Sequence, residues 1–393
     1  MSRNNKSIFY YLRHVDYLLL MSAVALSLIG LVMIYSVTKA QAPYLGVGPD
    51  HYLIRQALFL VIGFIVMFMF IVVDYRILEF FGVLIYGFAL LMLVVVMTSV
   101  GSVALGAQRW FQLGPIQVQP SEFAVLAVIF IIAYFASKEE QIGFKALIKI
   151  LVFAGIPILL VYKQPDLGTA IILGVTAFTM LVVANTRALH LFLMFVALIL
   201  AIVIVLNLGI LKQYQVDRLT AFLHPKNAPP ATVYNLQQSE IAIGSGGAFG
   251  TGFGKGSQTN LAFVPEQQTD FIFTAVGEQL GFVGSATVIG LFFIMAWRLI
   301  RAISLSRDSY GRLLVAGALG CIVFSVFQNM GMTIGLMPIT GIPLPFMSYG
   351  GSSTVVFFTM IGLALNVEMR RKSGNIGRFM PLKANQELEP VIR

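Results

Sequence analysis

The sequence predicts an all-α polytopic membrane protein with about ten transmembrane helices, cytoplasmic N- and C-termini and one long extracytoplasmic loop. Three observations predict it. The 393 residues are 58% hydrophobic and only 11% charged, with a mean hydropathy of +0.87, whereas a soluble domain carries about 25% charged residues. Long apolar runs recur along the chain. The lysines and arginines are distributed unevenly between the segments that join those runs.

A run of roughly 17–25 apolar residues can cross a bilayer as a helix. Such runs lie near 16–38, 52–73, 76–98, 120–137, 145–162, 166–184, 188–210, 270–297, 312–337 and 350–368, two of them short or interrupted. The opening "MSRNNKSIFYYLRHVDYLLL" is basic and leads into a run too long for a signal h-region, so it reads as a retained first helix. With the N-terminus inside, 18 of the 26 basic residues fall in cytoplasmic segments, as the positive-inside rule expects. The formal charge of +9 then reflects topology and calls for no nucleic acid. One transmembrane domain spans 1–393, with 211–269 as the long outer loop and 369–393 as a basic cytoplasmic tail. The single cysteine, Cys321, excludes an intrachain disulfide, and the four histidines form no metal-binding spacing.

The long loop is not low in complexity. "YQVDRLTAFLHPKN" has apolar residues at helical spacing and could lie along the membrane surface. "AIGSGGAFGTGFGKGSQ" has seven glycines among residues 244–256. It fails the P-loop pattern, because Gly256 follows Lys255 and Phe249 occupies the first glycine position. Either it is a turn packing closely against helices, or its amides bind an anionic head group.

Four polar clusters fall on the outer side of this topology: "GAQRWFQLGPIQVQPSEF" (106–123), "KQPDLGTA" (163–170), "PEQQTDF" (265–271) and "GIPLPFMSYGGSS" (341–353). Capping explains several of their residues one at a time. Glu122 follows Pro120 at a helix start, Asp166 could cap the sixth span, and Asp270 or Thr269 the eighth. Together they suggest more. Arg109, Lys163 and Arg218 bring cations to the side where cations are sparse, and Glu122, Asp166, Asp270 and Glu278 bring carboxylates to a similar depth. Ionisable groups in or at the ends of spans usually face a polar cavity. Glu278 lies eight residues past Asp270, about 12 Å deeper, where no cap can account for it. The expectation is one charged cavity that opens outward.

These motifs resemble, in order and over nearly the whole chain, the SEDS family (shape, elongation, division and sporulation) of bacterial cell-wall polymerases. "QPDLGTA" with Leu167, "MTIGLMPITGIPLPF" and the short tails resemble its elongation branch more than its division branch. The resemblance implies a peptidoglycan glycosyltransferase of the bacterial cytoplasmic membrane. Such an enzyme polymerises lipid II at the outer face while a polyprenyl diphosphate leaves. It implies Asp270 as catalytic base. Arg109, Lys163 and Arg218 would bind the diphosphate, and Glu122 and Asp166 would orient these cations or help hold a divalent ion (Mg²⁺ or Mn²⁺), with Glu278 lining the cavity beneath. The resemblance implies no cofactor besides that divalent ion. The implied partners are a class B penicillin-binding protein, which supplies the transpeptidase, and other membrane proteins of the elongation complex.

The chain departs from the family pattern at Gln268, where a histidine is common, at Gln279, and at Val125, where a lysine usually lies three residues after the glutamate. Glu122 then needs another cation, such as Arg109, or a proton. A Val125→Lys substitution is expected to be tolerated if the cavity reaches that helix face. The alternative from another class is a lipid II flippase, which would need the same cavity but perform no covalent chemistry. The internal repeat common in transporters is not found.

Overall fold

The computed structural model describes residues 15–45, 48–104, 107–114, 116–207 and 212–371. The apolar runs become helices close to where hydropathy places them: α1 (Tyr17–Leu45), α2 (His51–Val72), α3 (Arg76–Val95), α4 (Pro120–Ala136), α5 (Phe144–Lys163), α6 (Leu167–Val183) and α7 (Ala188–Asn207). Among the described residues, seven helices are long and apolar enough to span a membrane, and three shorter apolar ones accompany them. The reason is local. Backbone amides in hydrocarbon must be satisfied within their own segment, and only a helix does that for an isolated run. The basic tail lies outside the described residues beyond Arg371.

Residues 212–269 are mostly helical instead of a long irregular loop. They form α8 (Gln213–Leu223), a 3₁₀ turn (Pro225–Asn227), α9 (Pro230–Ser245) and the single turn α10 (Ser257–Asn260). The helical spacing in "YQVDRLTAFL" is thus realised as α8. Three helices complete the bundle: α11 (Ile272–Leu305), α12 (Ser309–Thr333) and α13 (Gly351–Met369). Their buried faces form one core with α4 and α6, α13 packing on α2, α12 on α6 and α11 on both α1 and α12. Between α3 and α4 the chain adds a small antiparallel sheet of β1 (Ser102–Ala104), β2 (Ala107–Leu113) and β3 (Ile116–Val118). Phe111 faces Val118 across it, and Ser102 faces Trp110. The apolar residues of "AQRWFQL" do not alternate with its polar ones, so no period-2 pattern announced this strand.

α11 is broken. Gly281 has φ +66° and ψ −159°, which only glycine adopts without strain. The glycine-rich segment fills the break with its backbone. The amides of Thr251 and Gly252 donate to the carbonyls of Glu278 (2.9 Å) and Gln279 (3.1 Å), and those of Phe282 and Val283 donate to Gly247 (2.9 Å) and Ala248 (3.1 Å). A Cβ at Gly250 would stand 2.1 Å from the Gln279 carbonyl oxygen, so the close-packing alternative describes these glycines. The freed polar groups of the break are thereby satisfied inside the protein.

Candidate functional site

The polar clusters meet at one end of the bundle because each lies at or just before a helix N-terminus. Asp166 precedes α6 and caps it, its Oδ1 accepting from the Thr169 amide at 3.2 Å. Its Oδ2 accepts from Gln119 (3.0 Å) and from the Ser121 hydroxyl (3.3 Å). The Arg109 guanidinium, on β2, lies 3.4 Å from Oδ1, and the same group stacks over Trp110 with 5.0 Å to the ring centre. Arg109 therefore pairs with Asp166 and not with Glu122. The α8 helix is held alongside by the Tyr214 hydroxyl, which donates to the Pro165 carbonyl at 2.9 Å.

Asp270 sits in the turn that leads into α11. Phe271, not Asp270 or Thr269, occupies the N-cap position, and no side chain caps the helix. The carboxylate is therefore free to point elsewhere. Two distant clusters are clipped together here. Asn329 donates to the carbonyls of both Asp270 and Ile342 at 2.8 Å, Ser348 donates to the Thr269 carbonyl at 2.5 Å, and the Tyr349 amide donates to the Gln268 carbonyl at 2.9 Å. Gly341 keeps the space in front of the carboxylate open. A Cβ there would lie 3.2 Å from Asp270 Oδ2 and 4.0 Å from Arg218 Nη1, at a φ of +74°. Burial first, and the neighbouring Glu266 second, push the Asp270 carboxyl up to about 6, against the pull of Arg218 and Arg109.

A cavity of about 2390 Å³ unites these groups, lined by Arg109, Glu122, Asp166, Arg218, Glu266 and Asp270. Arg55 and Lys212 also line it. In sequence they were two unremarkable basic residues on the sparse side, and only their place in the fold marks them. The cavity continues between α5, α6 and α7 along Leu159, Ile171, Phe178, Phe195 and Leu198, which are exposed apolar side chains. A polar chamber thus opens sideways onto a surface suited to hydrocarbon.

Three expectations need correction. Lys163, the last residue of α5, is exposed and does not line the cavity. Glu278 is fully buried and also does not line it. Its carboxylate accepts from the amides of Gln258 (2.7 Å) and Thr259 (2.9 Å) and from the Thr259 hydroxyl (2.5 Å). Val125 is 1% exposed in the core of α4 and away from the cavity, so a lysine there would bury a charge.

A divalent ion finds no ready-made cage. No group of three or more histidine, cysteine or acidic residues is placed to hold one among the described residues. Asp166 already takes three hydrogen-bond donors and an ion pair. The sites for this ion type are usually completed by substrate phosphates and water.

Fold and cavity define a multi-pass membrane protein with a charged chamber that continues beside exposed apolar helix faces. The family model FTSW_RODA_SPOVE, described as cell cycle protein, matches residues 16–373, and the chain belongs to this family, the SEDS proteins of the bacterial inner membrane. It is 35% identical to the probable peptidoglycan glycosyltransferase FtsW of Geobacter metallireducens, over 95% of this chain and 99% of that protein. Its structure is similar to one described as structural coordination of polymerization and crosslinking by a peptidoglycan synthase complex. The TM-score is 0.75 at 29% identity, covering 91% of this chain and 99% of that one. The rod shape determining protein RodA of Thermus thermophilus aligns with a TM-score of 0.67 and 28% identity, covering 91% and 98%.

Proposed function

We propose that this chain, a peptidoglycan glycosyltransferase of the SEDS family, polymerises lipid II at the outer face of the cytoplasmic membrane with Asp270 as general base. The observation that carries the proposal is the shared space in front of Gly341, where the Asp270 carboxylate and the Arg218 guanidinium approach one point of the cavity wall. A base and a cation at one point suit a displacement in which a hydroxyl loses a proton and a diphosphate departs. The sugar hydroxyl of one lipid-linked disaccharide attacks the anomeric carbon of another. The new carbon–oxygen bond forms as the bond to the phosphate oxygen breaks. The bonding pair leaves with the polyprenyl diphosphate, and the hydroxyl proton passes to Asp270.

Arg218, Arg109, Arg55 and Lys212 are the cavity cations available to the diphosphate, and the apolar walls of α5, α6 and α7 accept the polyprenyl tail. Asp166 holds Arg109 in place. Glu122 has no donor among the described residues, so it is the carboxylate available to a Mg²⁺ or Mn²⁺ that arrives with the diphosphate. A class B penicillin-binding protein supplies crosslinking. The outer-face placement rests on the basic-residue asymmetry.

We assign the strands to rod elongation on "MTIGLMPITGIPLPF", "QPDLGTA" and the short tails, although the name of the Geobacter relative points to division. Depletion that produces round cells supports elongation, and filaments refute it. The activity is tested with purified protein, its partner and labelled lipid II, with glycan products resolved on gels. Asp270→Asn should lower polymerisation by a factor on the order of 10²–10⁴. Near-normal strands from that variant would remove Asp270 as the base. Wild-type protein that moves lipid II across vesicles and forms no strands would favour a carrier.

A further inference from the structure

Glu278 is a carboxylate in the interior of a membrane helix, fully buried, and it faces no substrate space. Ionisable groups at such depth are costly and usually serve a function. Its three donors are uncharged, and all belong to the single turn that begins at Ser257. Packing around it is tight, since a Cβ on Gly256 would come within 2.6 Å of the carboxylate. From Thr259 the connection continues forward. Gln267 donates to the Thr259 hydroxyl at 3.3 Å, and the adjacent Glu266 carbonyl accepts the amides of Thr269 (3.2 Å) and Asp270 (3.1 Å). Ala262 and Glu266 hold left-handed φ values of +54° and +49°, strained conformations that persist where the surroundings fix them. The half-helix before the Gly281 break and the segment 257–271 thus form one unit, tied at its centre by Glu278.

We infer that Glu278 is a positioning residue that fixes Asp270 through Thr259 and Gln267, without touching the substrate. The inference rests on the reading of Asp270 as the base. Both carboxylate oxygens must accept. Glu278→Gln keeps the size but presents an NH₂ group to one of the Thr259 or Gln258 donors, which loosens the segment behind Asp270. A misplacement of about 1 Å at a reacting group can cost on the order of 10² in rate.

The experiment measures steady-state lipid II polymerisation, melting temperature in detergent, and hydrogen exchange of the amides 259–270. Glu278→Gln should lower kcat by a factor on the order of 10² with KM unchanged, because the cavity cations are untouched, and exchange across 259–270 should quicken. Thr259→Val should act in the same direction, while Thr259→Ser, which keeps the hydroxyl, should restore wild-type kcat. Thr259→Val serves if Glu278→Gln does not fold. A fall in melting temperature with unchanged kcat per folded molecule would overturn the inference, as would a rise in KM alone or unchanged exchange. If the wild type forms no strands, the glycosyltransferase reading fails, and the exchange data still decide whether Glu278 holds the segment.

Discussion

The two ends of the bundle use the same residue types in opposite ways. At the end away from the cavity, Arg298 pairs with Asp16 and lies 3.8 Å from Glu368, which also lies 3.5 Å from Arg371. Arg370 meets Asp74 at 3.3 Å, and Arg76 meets Asp308 at 3.2 Å. At the cavity end, Arg109 and Asp166 are the ion pair among the described residues, while Arg218, Glu122 and Asp270 face open space. Charges that neutralise one another hold α1, α11 and α13 together. Charges kept from neutralising one another leave potential for a ligand. The difference teaches that pairing, and not the mere presence of charge, separates structure from function here.

The largest expected effect breaks the paired end. Arg298→Ala removes the shared partner of Asp16 and Glu368, leaving two carboxylates whose side chains are 1% and 3% exposed. Removing one partner of a buried pair costs about 3–5 kcal/mol, so thermal unfolding in detergent should show a large loss of stability. A small loss would mean that the pairing at this end does not hold the helices.

Arg109→Ala tests the cavity end and should do the reverse. Asp166 keeps its three hydrogen-bond donors, so the melting temperature should stay near wild type. Polymerisation should fall by about 10²–10³, the cost of losing one donor aimed at developing charge. A variant that unfolds but retains activity per folded molecule would make Arg109 a structural residue like Arg298.

Acidity sharpens the contrast next. Asp270 must be ionised to accept a proton, and its carboxyl is pushed up to about 6. The rate should therefore fall about tenfold for each pH unit below 6. The stability effect has the opposite sign. The folded chain holds this proton more tightly than the unfolded one, so the contribution is present below about 4 and is lost as pH rises through about 6. Asp270→Asn should remove that slope and melt no lower than wild type at neutral pH. A pH–rate profile flat between 5 and 7, for which the raised carboxyl gives no account, would speak against Asp270 as base.

The smallest effect is expected at Lys163, a cation that joins neither end. It is exposed and outside the cavity, so Lys163→Ala should change stability by no more than about 0.5 kcal/mol and leave polymerisation near wild type. A strong loss of activity would mean that the cavity extends to it when substrate binds.

The spans, the order of the motifs and the family were legible in the sequence because hydropathy and motif spacing are local properties of the chain. The helix α8 also left a local signal in its helical spacing, whereas the strand β2 left none. The candidate site was half legible. Glu122, Asp166 and Asp270 could be picked out as carboxylates near helix starts and Arg109 and Arg218 as cations on the side where cations are sparse, and all five line one cavity. Lys163 and Glu278 were picked out with them and do not line it, while Arg55 and Lys212 were not picked out and do.

What the sequence by itself determined is therefore which segments form long apolar helices and which charged residues gather near their ends. An apolar run of sufficient length has only the helix available in hydrocarbon, whatever surrounds it. What only the tertiary structure decided is the direction each charge faces. Rotation of a helix about its axis is set by packing against its neighbours. The break at Gly281 turns Glu278 toward Thr259 because backbone from residues 247–252 enters it. Arg109 reaches Asp166 across 57 residues of chain because β2 is seated beside the start of α6. Such contacts join residues far apart in the chain, and no local pattern encodes them.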